Sequence, residues 1–168
     1  RFDTYMEVPV TDDPDALIVA IAGTMAKAKV RTGGGTAEAF PSSAQVIRFM
    51  GRCQAHGVAF KATAGLHHPW RSEYQLTYAA DAPRGTMFGF LNVLLAAAGL
   101  RAGWSPDEAT ALLEERDAAA VRFTADGVRW RDRVLSMQDL VRARDCVMTF
   151  GSCSFREPIE GLQAGALL

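Results

Sequence analysis

The 168-residue sequence predicts an α/β fold on parallel strands, specifically part of a (β/α) barrel. Three β-rich runs alternate with helical stretches at intervals of about 25 to 30 residues, the pattern of βαβ units. Each run also ends in polar residues, as barrel strands do at their ligand-binding end. Because three strands cannot close a barrel, we expect residues 1–168 to form a single domain that is the C-terminal part of a larger (β/α) barrel protein. A small open α/β sheet is the alternative.

The first half of the chain supplies the three strands and two helices between them. The stretch "DDPDALIVAIAGT" predicts a helix capped by Asp13 with Pro14 in its first position. The stretch "PSSAQVIRFMGRCQAHG" predicts a second helix that Ser42 or Ser43 caps and Gly57 ends. The β-rich runs "DTYMEVPV", "AKAKVRTGGG" and "VAFKATAG" predict parallel strands over residues 3 to 8, 28 to 32 and 58 to 63, adjacent in that order.

The second half predicts an α-rich tail with one β-hairpin. The apolar run "MFGFLNVLLAAAGL" contains Asn92 and is too short to span a bilayer, so it predicts a buried helix. The stretch "SPDEATALLEER" has a capping box from Ser105 to Glu108. In "AAVRFTADGVRWRD", Asp126 and Gly127 predict the turn of the hairpin.

Two more helices are predicted at the end of the tail. Ser136 and Asp139 have capping-box spacing, which predicts a helix through "SMQDLVRARDCVMTF". A closing helix follows "GSCSF", with Ser154 as its cap.

Composition excludes several classes of partner. The net charge is −1 and the basic residues are dispersed, so we expect no nucleic-acid or membrane partner. The three cysteines lack zinc-like spacing, which predicts reduced thiols in a cytoplasmic protein with no cofactor or metal. Cys153 as a nucleophile would require a partner histidine, which the sequence does not locate.

Lysines within two strands are the first candidates for chemistry. Period-two spacing places Lys29 with Arg31, and Lys61 with Thr63, on one face of each strand. A lysine among apolar walls and near other cations favours the neutral amine, which forms Schiff bases with carbonyls, and Lys61 fits this description. The alternative is structural, with Lys29 or Lys61 paired to Glu7 across neighbouring strands.

A glycine-rich loop after the second strand predicts an anion site. Its backbone N–H groups, close to a helix N-terminus, suit phosphate or carboxylate, although the loop matches neither nucleotide-binding fingerprint. A flexible loop is the alternative. The predicted anion-binding residues are Arg31, Thr32, Gly33, Gly34, Gly35 and Thr63.

Two adjacent histidines follow the third strand. Because imidazole titrates near neutral pH, we expect His67 to act as a general acid or base. The alternatives are a loop held by histidine hydrogen bonds, or a metal site formed by Glu7 with His67 or His68.

The stretches "AKVRTGG" and "FKATAG" resemble the late strands of class I aldolases of the deoxyribose-phosphate aldolase kind. The resemblance implies that Lys61 forms a Schiff base and that Lys29 is its electrostatic neighbour. Arg31, the His67-His68-Pro69 sequence and the tail depart from that family.

The sequence thus predicts a lyase or aldolase-like enzyme of small anionic carbonyl metabolites. Its expected catalytic residues are Lys61, Lys29, His67 and Glu7. The alternative is a non-catalytic module that completes a barrel or binds a partner. In either case we expect a homo-oligomer or association with a missing N-terminal region, because open sheet edges tend to associate.

Overall fold

The computed structural model describes residues 2–165 and 167, which form a mixed α/β structure. Four parallel strands form a central sheet, accompanied by a two-stranded hairpin and a three-stranded antiparallel sheet. The elements in chain order are β1 (Tyr5–Glu7), α1 (Asp15–Ala22), β2 (Lys27–Arg31), α2 (Ser43–Ala55), β3 (Phe60–Thr63), β4 (Ser72–Gln75), β5 (Arg84–Met87), α3 (Phe90–Arg101), α4 (Pro106–Leu113), β6 (Val121–Thr124), β7 (Gly127–Trp130), β8 (Arg133–Ser136), α5 (Met137–Arg144), β9 (Val147–Gly151) and α6 (Arg156–Ala164).

The central sheet confirms the predicted order of the first three strands and adds a fourth. β1 pairs with β2 and β2 with β3, all parallel, with α1 and α2 between them. The prediction of only three parallel strands is wrong, because β9 pairs parallel with β3. The helix predicted through Phe150 ends at Arg144, and the chain then extends to join the sheet. The described strands form an open sheet rather than a closed barrel.

The tail contains more β structure than the predicted single hairpin. The predicted turn at Gly127 does join β6 to β7 antiparallel, and β8 adds a third strand. Gly127 has a φ of +146°, and a side chain there would collide with the Leu135 carbonyl, so this position requires glycine. A second hairpin, β4–β5, was not predicted. Thr86 and Met87 belong to its strand β5, so the buried helix α3 begins only at Phe90.

The main hydrophobic core lies on one face of the central sheet. The alternation along β2 and β3 buries Ala28, Val30, Phe60 and Ala62 on this face. Helices α1, α2 and α3 contribute side chains to the same core. Side chains on the opposite face, including those of the strand lysines, are polar and partly exposed. The sheet is therefore two-sided, with one apolar and one polar face.

Helix α3 connects the main core to a smaller second core. One side of α3 contributes Val93 to the main core, whereas Leu95 packs in the second core beside Trp104 and Trp130. The two tryptophan rings stack with centroids 5.9 Å apart. Because both sides of α3 are covered, its apolar residues are nearly continuous, as the sequence indicates.

Side chains cap the helices close to the predicted positions. Ser42 caps α2 through a capping box with Gln45, and Ser105 caps α4 in the same way. The carboxylate of Asp13 accepts a hydrogen bond from the Asp15 N–H at 3.2 Å, although α1 begins one residue later than predicted. The hydroxyl of Ser154 accepts from the Glu157 N–H at 3.2 Å. None of the helices within the described residues is long and apolar enough to cross a membrane.

Candidate functional site

The three lysines of the sequence, Lys27, Lys29 and Lys61, all lie on the polar face of β2 and β3. Lys29 and Lys61 are register partners across the two strands, so their side chains are neighbours. Every other permanently cationic side chain in the sequence is an arginine. The chain therefore places its lysines in one small area of the sheet.

Lys29 is neutralised by Glu7, as the structural alternative for this residue predicted. Glu7 and Lys29 are register partners, and the Lys29 ammonium lies 2.6 Å from the Glu7 carboxylate. Arg31 approaches the other carboxylate oxygen at 3.5 Å. The hydrogen bond from Lys29, helped by the charges of Lys29 and Arg31, lowers the pKa of Glu7 despite its slight desolvation. Glu7 therefore remains an anion that orients two cations.

Lys61 has a different environment. Its Nζ lies 4.1 Å from the centroid of the Tyr5 ring, a cation–π distance. Lys27 also approaches this ring, at 5.7 Å, but pairs with Asp3 at 3.0 Å. In the described part of the chain, no carboxylate forms an ion pair with Lys61. Of the three lysines, Lys61 is thus the one with its ammonium left for another partner.

Thr32 and Gly33 of the predicted anion loop have packing roles. The buried Thr32 hydroxyl donates to the carbonyl of Ala64 at 2.7 Å, which ties the end of β2 to the end of β3. A Cβ on Gly33 would lie 2.6 Å from the Phe40 ring and 3.0 Å from the Cα of Gly65. These contacts explain both residue types without a ligand.

The rest of the predicted anion loop lies near the surface. Gly34 is half-buried and Gly35 is exposed. A three-residue 3-10 turn, Ala37–Ala39, separates the loop from α2, so the loop does not lead directly into a long helix. The Thr63 hydroxyl is directed at the Val30 carbonyl, 3.4 Å away. Anion binding by the loop stays a prediction.

Some of the predicted site residues line cavities, and they line two different ones. Glu7 and Arg31 line a cavity of about 300 Å³ beside Phe40 and Pro41. His67 lines another, of about 380 Å³, together with residues that follow β4 and β9. The sheet thus brings together Glu7, Lys29, Arg31 and Lys61, and it places His67 elsewhere.

His67 lies at the centre of a cluster that joins three parts of the chain. Its Nδ1 lies 2.7 Å from the Glu157 carboxylate, and its Nε2 lies 3.6 Å from the Sγ of Cys153. The Ser152 hydroxyl is 3.4 Å from Nδ1. Because β3 and β9 are parallel neighbours, the residues that follow them meet at the carboxyl edge of the sheet, where parallel folds bind ligands. We call His67, Cys153 and Glu157 the thiol cluster.

Tyr78 covers the thiol cluster from the loop between β4 and β5. Its hydroxyl donates to the Glu157 carboxylate at 3.0 Å and lies 3.8 Å from the Cys153 sulfur. Although the ring is largely exposed, local desolvation of the hydroxyl, with these contacts, raises the pKa of Tyr78 to about 12. Tyr78 therefore acts as a hydrogen-bond donor at neutral pH.

Two effects oppose each other at Glu157. Desolvation favours its neutral form, but the hydrogen bonds from His67 and Tyr78 and the nearby histidine charges outweigh it, so the pKa of Glu157 is lowered. Burial lowers the pKa of His68, whose ring stacks on Tyr74 at 3.6 Å. At neutral pH the cluster therefore contains a carboxylate beside His67 and a mainly neutral His68.

Helix α3 holds in place the loop of residues 64–71 between β3 and β4, which we call the histidine loop. The first N–H groups of α3, at Phe90 and Leu91, donate to the carbonyls of His68 and Pro69 at 3.0 and 3.1 Å. The side chain of Asn92 accepts from the Arg71 N–H at 2.8 Å. These three bonds fix the backbone on which the His67 ring is mounted.

Close packing against Gly89, at the start of α3, and against α6 restrains the same loop. Gly89 lies against the Pro69 carbonyl, where a side chain would collide. A Cβ on Gly161 of α6 would lie 2.6 Å from the Pro69 ring. Upstream, Ala64 and Gly65 have φ angles of +71° and +73°, and a left-handed alanine is strained. The sharp turn after β3 therefore rests on tertiary packing.

Sequence reasoning missed Glu157 and Tyr78 and left Cys153 without a partner. One signal was present: "VMTFG" contains Val147, Thr149 and Phe150, residue types that favour strands. A fourth parallel strand there would have placed "SCS" at the carboxyl edge beside His67. This signal was missed because the capping box at Ser136 led to the prediction of a helix that continues through Phe150.

Neither a metal centre nor a known relative provides further guidance. Within the described residues, no group of three or more histidine, cysteine, aspartate or glutamate side chains could hold a metal ion. None of the family models, curated proteins and solved structures with which the chain was compared matches it.

Proposed function

We propose that the protein is an enzyme of small anionic carbonyl compounds, of lyase or aldolase-like type, in which Lys61 forms a Schiff base. One observation carries the proposal: the only three lysines of the sequence lie on one face of β2 and β3, and Lys61 alone among them has no carboxylate partner in the described structure. Schiff-base formation requires an amine that is not committed to an ion pair.

The charges around Lys61 favour an anionic substrate. Lys29 and Arg31 share the single carboxylate of Glu7, so with Lys61 the group has three cations and one anion. This excess of positive charge attracts a phosphate or carboxylate group. We assign Lys29 and Arg31 to charge stabilisation and Glu7 to their orientation, with Thr63 and the Gly33–Gly35 loop nearby to hold the anion.

The winding of the sheet supports a partial barrel. The four strands follow one another in chain order, and α1 and α2 pack into the same core on one face. This arrangement is typical of barrels, whereas doubly wound sheets carry helices on both faces. Parallel sheets are normally covered on both sides. We propose that the lysine face is an inner wall completed by a second copy or by an additional N-terminal region.

The proposed reaction begins when the Nζ of Lys61 attacks the substrate carbonyl carbon. The carbonyl oxygen leaves as water, and the resulting iminium accepts the electron pair of the carbon–carbon bond that breaks, while the hydroxyl on the departing carbon loses its proton to solvent and becomes a carbonyl. That product leaves, and the enamine that remains takes a proton from solvent at carbon to give an iminium again. Hydrolysis of the iminium then returns the free amine. We assign no proton transfer here to His67, since it lines a cavity whose lining includes none of the three lysines.

Borohydride trapping tests this proposal. We expect incubation with pyruvate or dihydroxyacetone phosphate, followed by borohydride, to leave a stable adduct that peptide mass spectrometry places on Lys61. Lys61→Met should abolish the adduct, whereas Lys27→Met, the matched control on the same face, should retain it. Lys29→Met should mainly raise the carbonyl concentration needed for trapping.

Several outcomes would overturn the proposal. An adduct that persists in Lys61→Met, or that maps to Lys27, would show nonspecific amine reactivity. Failure of both carbonyl probes to give an adduct would also refute it. With stable self-association, that failure would favour the second candidate function, a non-catalytic module that completes a barrel, for which the open polar face of the sheet is the supporting observation.

A further inference from the structure

We propose that the thiol cluster is a second catalytic site, in which Cys153 is the nucleophile of an acyl-transfer reaction on small esters or thioesters. The proposal does not depend on the lysine chemistry, because it uses a separate cavity and different side chains.

The three side chains have the relative positions that nucleophilic catalysis requires. The Sγ of Cys153 lies 3.6 Å from the Nε2 of His67, within reach for proton transfer as the cluster tightens around a substrate. The opposite ring nitrogen, Nδ1, lies 2.7 Å from Glu157, which fixes the orientation and tautomer of the ring. A nucleophile, a base and an orienting carboxylate, in contact in that order, define the geometry of a catalytic triad.

The surroundings of Cys153 distinguish it from the other two cysteines. Cys153 is exposed, whereas Cys53 is buried in the main core and burial raises the pKa of its thiol, so Cys53 is inert. Cys146 is only partly exposed. Cys153 also lies in the turn that leads into α6, close to Glu157 in the first turn of that helix.

The cavity next to the sulfur can hold a small substrate. Its volume of about 380 Å³ lies within the size range of small-molecule sites. His68, Tyr74 and Arg84 line it beside the thiol cluster, so it offers aromatic surface and one fixed positive charge. We expect acyl groups of a few carbon atoms to fit.

The proposed reaction passes through a thioester on Cys153. The thiol proton passes to the Nε2 of His67 while the sulfur bonds to the acyl carbon. The bond to the alcohol or thiol leaving group breaks, and that group takes the proton from His67. Water then attacks the thioester with His67 as base, which releases a carboxylic acid and returns the thiol. Glu157 is a positioning residue because it acts through His67.

Thiol alkylation with iodoacetamide tests the activation of Cys153. An ordinary thiol is only a few per cent ionised near pH 7, so activation can raise its rate by roughly 30-fold at most. We expect peptide mapping to show that Cys153 reacts faster than Cys146, and that His67→Ala slows Cys153 about tenfold. His56→Ala is the control, because His56 lies at the end of α2 beside Asp15 and does not line this cavity, and it should retain the wild-type rate.

Acylation by p-nitrophenyl acetate tests the chemistry itself. We expect a burst of p-nitrophenol and an acetyl adduct on Cys153, both lost in Cys153→Ser, whereas Cys146→Ser should behave as the wild type. Glu157→Gln should slow the burst and shift its pH profile. A burst that survives in Cys153→Ser, or equal effects of His67→Ala and His56→Ala, would overturn the proposal.

A comparison that uses only the wild-type protein tests the proposal even if the variants fail to fold. The alkylation rate of Cys153 near pH 6 should exceed its rate in the same chain unfolded in urea, after correction for the effect of urea on a free thiol. If the folded protein reacts no faster than the unfolded one, Cys153 is not activated and the proposal fails.

Discussion

Replacement of Asn92 by leucine should loosen the histidine loop as well as destabilise the fold. Asn92 is fully buried in α3, and its side chain makes three hydrogen bonds. It accepts from the Arg71 N–H at 2.8 Å and donates to the carbonyls of Leu112 and Glu115, each at 3.0 Å. Leucine has the same number of side-chain heavy atoms, so Asn92→Leu removes these bonds without leaving a large cavity.

The size of the destabilisation depends on which backbone groups lose their last hydrogen-bond partner. The Leu112 carbonyl keeps a second bond, from the Glu115 N–H at 3.2 Å. The Arg71 N–H and the Glu115 carbonyl are left unpaired, each at a cost of about 1–3 kcal/mol. Burial of the leucine offsets about 1.5–3 kcal/mol of this. The two costs together, about 2–6 kcal/mol, exceed this offset at their midpoints, so we expect Asn92→Leu to lower the free energy of unfolding by roughly 2 kcal/mol.

Urea unfolding and amide hydrogen exchange together measure this effect. The Arg71 amide should lose protection in Asn92→Leu, because its acceptor is gone. The Phe90 amide, which donates to the His68 carbonyl, is the internal control and should lose less. If the variant is as stable as the wild type and the Arg71 amide stays protected, then Asn92 does not hold the histidine loop, and our account of how His67 is positioned is wrong.

Two further predictions concern the lysine face. Glu7→Gln should destabilise the fold by less than about 1 kcal/mol near neutral pH, because the ion pair with Lys29 is partly exposed. Since the hydrogen bond from Lys29 lowers the pKa of Glu7 in the folded state, this stabilisation is present above the unfolded pKa, about 4.3, and is lost as the pH falls. Urea unfolding at several pH values should show that the difference in free energy of unfolding between Glu7→Gln and the wild type disappears below pH 4. A difference that does not change with pH would contradict a stabilising ion pair between Glu7 and Lys29. Sedimentation velocity should show self-association at micromolar concentration, because β1 and β9 are both edge strands of the described sheet, and a clean monomer would argue against a self-completed barrel.

Local signals in the sequence were sufficient for most of the individual elements. The alternation in β2 and β3, the capping boxes at Ser42 and Ser105, and the turn at Gly127 depend on neighbours a few residues away. Such signals are visible without the fold, and the structure has the corresponding elements close to the predicted positions. The parallel order of the first three strands followed from the short connections between them.

Where local and distant interactions compete, the sequence alone was misleading. The capping box at Ser136 correctly starts α5, but the helix ends at Arg144 because β9 gains a parallel partner in β3, which lies far away in the sequence. That pairing moved Cys153 to the carboxyl edge of the sheet. Period-two spacing predicted the face on which the strand lysines lie, but it could not locate the thiol cluster.

The sequence by itself determined which residue types stand at the strand ends. It also determined which side chains of one strand share a face, because successive side chains alternate between the two faces of a β-strand. Only the tertiary structure decided which side chains meet. The strand register pairs Glu7 with Lys29, and among the described residues it leaves Lys61 without a carboxylate partner. The pairing of β3 with β9 brings His67 to Cys153 across 86 residues of sequence. Register and long-range pairing depend on how whole elements pack, so no local pattern in the sequence encodes them.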